Sequence, residues 1–199
     1  KRSGMITDAI WMDMNQDSKA DLVIAGEWMP LSVYISDGNT LQNQTSAYFS
    51  RNYSGWWNKI DTADVNNDGL ADLIAGNMGL NTQCKATDQE PAEIFFKDFD
   101  NNGSVDPFFC FFIQGKSYPY VTRDELLEQI GSLRSRFRDY KSYADITLKE
   151  IFSEQDLNSA GHLTANHLET TLFIREKNGR FSIAPLPAEV QYAPVHTIT

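Results

Sequence analysis

Apolar runs of strand length, separated by turn residues, dominate the first half of the chain. Ala9-Ile10-Trp11-Met12, Leu22-Val23-Ile24-Ala25-Gly26, Leu31-Ser32-Val33-Tyr34-Ile35, Ile60-Asp61-Thr62-Ala63, Leu73-Ile74-Ala75-Gly76, Ile94-Phe95-Phe96 and Phe108-Phe109-Cys110-Phe111-Phe112-Ile113 are short for helices and read as strands. Between residues 120 and 167 the period changes. Thr122-Arg123-Asp124-Glu125 is a capping-box sequence, and Leu126, Ile130, Leu133, Phe137 and Tyr140 follow at spacings of 4, 3, 4 and 3. That spacing predicts one helix running to Tyr140, and a shorter one is expected over residues 146–152. The β pattern resumes at Thr170-Thr171-Leu172-Phe173-Ile174-Arg175 and returns through Phe181-Ser182-Ile183-Ala184. The Asn178-Gly179 pair between these runs is a strong hairpin signal. The fold class read from this pattern is mainly all-β, with residues 120–167 as a helical insertion within a β array.

Three loops punctuate the strands and share one register. They are Asp13-Met14-Asn15-Gln16-Asp17-Ser18-Lys19-Ala20-Asp21, Asp64-Val65-Asn66-Asn67-Asp68-Gly69-Leu70-Ala71-Asp72 and Asp98-Phe99-Asp100-Asn101-Asn102-Gly103-Ser104-Val105-Asp106. Oxygen-bearing side chains stand at positions 1, 3, 5 and 9, and the carbonyl of position 7 adds another oxygen. This donor set suits Ca2+, a hard cation of flexible coordination. Position 6 is Gly69 and Gly103, as a turn with positive φ requires, but Ser18 in the first loop. An EF-hand opens in the same way, yet it needs a bidentate Glu at position 12, where this chain has Ile24, Ala75 and Phe109. The expectation is therefore a metal-clipped β-hairpin, repeated at starts 13, 64 and 98. Such a recurrence suggests stacked or radial β units, and four short strands per repeat is the make-up of a propeller blade.

Charge reinforces this reading. Nine of the 27 acidic residues sit in the loops, and three Ca2+ would offset more than half of the net charge of −10. An acidic chain is a poor partner for nucleic acid or an anionic membrane. No stretch approaches the roughly 18 uninterrupted apolar residues of a membrane helix, so direct membrane insertion is not expected. Lys1-Arg2-Ser3-Gly4 opens no leader core, and the chain reads as a piece of something longer whose signal peptide would lie elsewhere. With 41% hydrophobic and 12% aromatic residues, a buried core is expected and disorder is not. Cys84 and Cys110 allow one disulfide or two free thiols.

The second loop and its flanks, Asp64 to Asn77, resemble the calcium loop of FG-GAP/VCBS repeats, the units of integrin-α-type β-propellers. Gly55-Trp56-Trp57-Asn58, Gly76-Asn77-Met78-Gly79-Leu80-Asn81, Gly115-Lys116-Ser117-Tyr118-Pro119 and Pro185-Leu186-Pro187 extend the likeness to ASPIC/UnbV-like exported proteins of Bacteroidetes-type bacteria. The resemblance implies β-propeller blades with calcium-loop hairpins, three to four of them over residues 1–199, in a protein exported to the extracellular space or outer-membrane surface. The ligands it implies are Asp64, Asn66, Asp68, the Leu70 carbonyl and Asp72. In the same register they are Asp13, Asn15, Asp17, the Lys19 carbonyl and Asp21, and Asp98, Asp100, Asn102, the Ser104 carbonyl and Asp106. Up to three structural Ca2+ follow. The implied function is non-enzymatic binding, adhesion or scaffolding with a protein or glycan ligand at the cell surface.

The alternative is a glycan-processing lyase or hydrolase built on a propeller, which would need two carboxylates outside the loops about 5 to 9 Å apart. His162 and His167 stand five apart and lack the helical i, i+4 spacing of a zinc peptidase, and no nucleophile elbow or phosphate loop occurs. Arg134, Arg136, Arg138 and Lys141 form a basic cluster that could meet an acidic partner or simply face solvent. Trp56-Trp57 could stack on a sugar if exposed and is core otherwise.

Overall fold

Each acidic loop joins two antiparallel strands, as its apolar flanks predict. The computed structural model describes residues 4–199; the basic start at residues 1–3 lies outside them. In chain order the strands are β1 (Met5–Met12), β2 (Asp21–Pro30), β3 (Ser32–Ser36), β4 (Leu41–Asn43), β5 (Ser54–Trp56), β6 (Lys59–Ala63), β7 (Asp72–Gly76), β8 (Ala92–Lys97), β9 (Asp106–Ile113), β10 (Lys116–Pro119), β11 (Gly161–Ala165), β12 (Thr171–Arg175) and β13 (Phe181–Ala184). The helices are α1 (Thr45–Tyr48), α2 (Arg123–Gln129), α3 (Leu148–Ile151) and α4 (Glu154–Ser159). The fold is mainly β and antiparallel, in three sheets. No helix among the described residues is long and apolar enough to cross a membrane.

The chain divides into two units. The first takes residues up to Gln83 together with His167–Thr199, and the second is Cys84–Asn166. In the first unit, sheet one runs β1-β2-β3-β4, with β5 also pairing to the far end of β2. Sheet two runs β6-β7-β12-β13. Each contains a four-strand meander in which the acidic loop joins strands one and two, and β5 makes sheet one five-stranded. Sheet two differs in that the whole second unit interrupts it in sequence, between its second and third strands.

One apolar core joins sheets one and two. Val23, Ala25, Val33 and Ile35 from the first meet Ile60, Leu73, Ala75, Phe173 and Phe181 from the second, with Phe49, Tyr53 and Trp57 between. Alternation places these side chains on one face of each sheet. Trp57 is fully buried and its indole Nε1 donates to the Tyr53 carbonyl at 3.0 Å, so it is a core residue and not a sugar platform.

In the second unit the sheet order is β10-β9-β8-β11. Phe108 and Cys110 of β9 pack under Leu126, Leu127, Ile130, Phe137, Leu148 and Ile151. The capping box at Thr122 and Glu125 forms as the sequence predicts. The helix does not continue to Tyr140, however: α2 stops at Gln129, Ile130 leaves the helical region at φ −125° and ψ 85°, and a 3-10 turn follows over Gly131–Ser135. Gly131 and Ser132 are poor helix formers, and burial of Ile130 and Phe137 keeps the apolar spacing without keeping the helix. The shorter predicted helix is present as α3, with its own capping box at Thr147 and Glu150.

Cys84 and Cys110 are both buried. Burial pushes Cys84 up to about 11 and Cys110 up to about 12, so neither is a ready nucleophile.

Candidate functional site

An Asp at position 1 of a tight loop can accept backbone N–H groups from residues further along, which forms Asx-type turns. All three loops do this twice. Asp13 accepts from the backbone N of Asp17 at 3.1 Å and of Ser18 at 2.8 Å. Asp64 accepts from Asp68 at 3.1 Å and Gly69 at 2.9 Å, and Asp98 from Asn102 at 3.0 Å and Gly103 at 2.9 Å. The position 3 side chains Asn15, Asn66 and Asp100 accept from the backbone N of position 5 at 3.1, 3.0 and 3.2 Å. The position 5 side chains Asp17, Asp68 and Asn102 accept from Lys19, Leu70 and Ser104 at 2.9, 2.9 and 2.8 Å. The three loops thus repeat one hydrogen-bond scheme at positions 1, 3 and 5.

Two positions in each loop hold a positive φ. At position 6 the values are 66° for Ser18, 84° for Gly69 and 91° for Gly103. The departure at Ser18 thus keeps the loop shape at the cost of backbone strain. Position 4 is also left-handed, at 62°, 58° and 60° for Gln16, Asn67 and Asn101. Sequence reading missed this second position. Asn at position 4 of the second and third loops was the available signal, since Asn is enriched in that region and Gln adopts it less readily. Ser18→Gly is expected to raise stability by about 0.5–1 kcal/mol, read as a shift in the denaturant midpoint at constant slope.

The position 9 aspartates are buried, with Asp21 at 0%, Asp72 at 1% and Asp106 at 2% exposure. Each closes its loop by accepting from the backbone N of position 2: Met14 at 2.8 Å, Val65 at 3.0 Å and Phe99 at 2.9 Å. The other oxygen reaches further. Asp21 Oδ1 accepts from the Ser36 amide and Asp72 Oδ1 from the Arg175 amide, both at 2.8 Å. These amides end β3 and β12, so the two loops are tied to the third strands of their sheets in the same way. Asp106 instead accepts from the side chain of Gln129 at 3.2 Å.

The loops differ in how their carboxylates converge. Asp98, Asp100 and Asp106 offer oxygens that all lie within 4.8 Å of one another. Oxygens bound to one Ca2+ at 2.3–2.6 Å can be about 5 Å apart at most, so this spacing fits a shared ion. Among the described residues this is the one acidic or His/Cys group that converges so closely. It arises because position 3 is Asp in the third loop, where the other two have Asn. In the first two loops that Asn donates to the position 5 carboxylate, Asn15 to Asp17 at 3.1 Å and Asn66 to Asp68 at 3.0 Å. Lys19 Nζ also lies 3.5 Å from Asp17 in the first loop. The Lys19 amide, with Asn15 and the Lys19 ammonium adding to it, holds the Asp17 carboxyl below its ordinary range.

An all-oxygen donor set of this kind fits a hard cation and would reject softer metals that prefer thiolate or imidazole. Asp100→Asn tests the charge logic. Without metal the variant is expected to be more stable, by about 1 kcal/mol, because one of three like charges is gone while the Oδ1 acceptor remains. In calcium the order should invert. Thermal unfolding of both proteins in the two conditions checks it.

The three arginines of the basic cluster are engaged with backbone carbonyls. Arg134 donates to the Leu127 carbonyl at 3.2 Å, Arg136 to the carbonyls of Ile151 and Glu150, and Arg138 to that of Ser135. These guanidinium groups satisfy backbone ends of the helical segment. His162 stacks on Phe95 at 4.2 Å and pairs with Glu93, while His167 is buried with its Nε2 2.7 Å from the Thr171 hydroxyl.

Residues 13–75 match the family model described as an FG-GAP-like repeat. The matched segment, about a third of the chain, runs from the first acidic loop through the second to β7. Searches of curated proteins and of solved structures gave no match.

Proposed function

We propose that this chain is a calcium-stabilised, non-enzymatic β-propeller segment, exported to the cell surface, where it binds or scaffolds a protein or glycan ligand. Sheets one and two are its blades, and the acidic loops are structural clips. The observation that carries the reading is the convergence of Asp98, Asp100 and Asp106 within a loop whose hydrogen-bond scheme recurs at Asp13 and Asp64. Asp98, Asp100, Asn102, Ser104 and Asp106 would hold one Ca2+, and the corresponding residues of the other loops up to two more. Bound calcium would supply positive charge where carboxylates otherwise repel, fixing each hairpin.

The FG-GAP-like match supports a module of the integrin-like propeller type. Weak calcium sites of extracellular modules suit the calcium outside cells, which supports an exported location. The glycan-processing alternative requires paired carboxylates. A cleft of about 740 Å³ beside β12 and β13 has Glu169 as the one carboxylate in its lining. Loss of thermal stability on chelation, regained with calcium and not with magnesium alone, tests the proposal; indifference to chelation would overturn it.

A further inference from the structure

Strand alternation puts Arg175 on the core face of β12, two residues beyond Phe173. Its backbone amide is held by Asp72, and its guanidinium crosses to the first acidic loop, where it donates to the Met14 carbonyl. The residue is 6% exposed, its Nε is buried with no hydrogen-bond partner, and no carboxylate among the described residues pairs with it. Asp21 and Asp72 are already spent. Both oxygens of each accept from backbone amides, those of Met14 and Ser36 for Asp21 and those of Val65 and Arg175 for Asp72. A guanidinium taken out of water needs a counter-charge and acceptors, because a buried charge without them is costly.

A second unsatisfied group stands beside it. Tyr48, at the end of α1, is 8% exposed, and its hydroxyl makes no hydrogen bond among the described residues. Burial, with the Asp21 carboxylate adding, pushes its pKa up, so the hydroxyl stays a protonated donor. Arg175 and Tyr48 line one pocket of about 360 Å³, with Gln16 of the first acidic loop, Leu70 of the second, and Glu176 and Lys177 where β12 turns into β13. Glu176 is occupied by the Ser182 hydroxyl, which donates to it at 2.5 Å. Lys177 is exposed and has no ion pair among the described residues. The three unspent groups are all donors: a guanidinium N–H, a phenol O–H and an ammonium. The volume lies at the lower end for small-molecule sites, which run from about 300 to 1,000 Å³.

We propose that this pocket binds the carboxylate of a small organic acid, held by the Arg175 guanidinium and the Tyr48 hydroxyl. Negative charge and acceptor oxygens are what the two residues lack, and a carboxylate supplies both in a planar form that matches a guanidinium edge. Lys177 at the rim adds attraction without ordering. A dianion such as phosphate is the poorer fit, because Asp13, Asp17 and Asp21 lie near enough to act on Tyr48 and would repel a second charge. The guanidinium is fixed before the acid arrives, by its bond to Met14 and the tie of its backbone to Asp72, so little ordering is lost on binding. The inference goes beyond the calcium clips and does not rest on them.

Nuclear magnetic resonance of the arginine Nε–H signals of the whole chain, titrated with acetate and with glucuronate in calcium-containing buffer, is the test. Both acids are expected to move the Arg175 signal to saturation, and glucose, which has the ring without the charge, to leave it in place. Tyr48→Phe should weaken binding about fivefold, the equivalent of one hydrogen bond. It should not lower Tm, because the hydroxyl has no partner to lose. Arg175→Lys assigns the signal and should weaken binding further; if that variant does not fold, as judged by circular dichroism, Tyr48→Phe carries the test. A signal that neither acid moves, one that glucose moves as far, tighter binding of phosphate than of either acid, or a Tyr48→Phe variant that binds like wild type would overturn the inference. Failure here leaves the calcium reading standing, since that is read from stability against a chelator.

Discussion

Replacing Asp72 by Ala is expected to destabilise the first unit by about 2–4 kcal/mol. The carboxylate is buried and accepts from the Val65 amide across its own loop and the Arg175 amide on β12. Truncation leaves both donors without a partner, at about 1–3 kcal/mol each, with partial relief at Val65 because that site is only part-buried. For a chain of this size the loss corresponds to a fall in Tm of about 5–15 °C. The decrement should persist in chelator, because the lost bonds are to backbone and not to metal. A variant that lost stability only in calcium would show that Asp72 acts through the ion alone.

Phe173→Ala should cost more, about 3–5 kcal/mol. The ring is fully buried at the meeting of the two sheets, with centroids 5.3 Å from Phe49, 5.2 Å from Tyr53 and 6.3 Å from Trp57. Those neighbours belong to other elements of the same core and cannot all move into the space. Phe173 also lies on the strand that completes sheet two after the interrupting unit. Its loss is therefore expected to unfold the first unit while the hydrophobic cluster under α2 keeps its protection from hydrogen exchange. Equal loss of protection in both units would contradict the division into two.

The local features of the chain were legible, and the long-range ones were not. The acidic loops could be read because their register is written in nine consecutive residues, and Asn178-Gly179 because a hairpin turn is decided by two; Gly179 takes φ 83° as that turn requires. The helix to Tyr140 was over-read because periodic burial looks the same in a helix and in a helix followed by a 3-10 turn, and Tyr140 itself is 65% exposed. The pairing of β7 with β12 bridges residues 84–166, and no pattern on either strand names its partner. The ties of Asp21 to Ser36 and Asp72 to Arg175 were hidden for the same reason: position 9 read as a ligand, while its burial and second hydrogen bond depend on a strand brought in from elsewhere. Sequence also ranked the loops by their glycine. Position 3 also separates them, because Asp100 places a third carboxylate within 4.8 Å of Asp98 and Asp106 where the other two loops carry Asn.

Thermal unfolding of the wild-type chain, first in excess chelator and then across a calcium titration, tests the central claim most directly. The account predicts that Tm rises with calcium concentration without reaching a limit set by the metal-free protein. A site filled to about 100 times its Kd adds about 2.7 kcal/mol. Asp100→Asn should start higher in chelator and gain less from calcium. A Tm that is the same in chelator and in millimolar calcium, for wild type and variant alike, would contradict it.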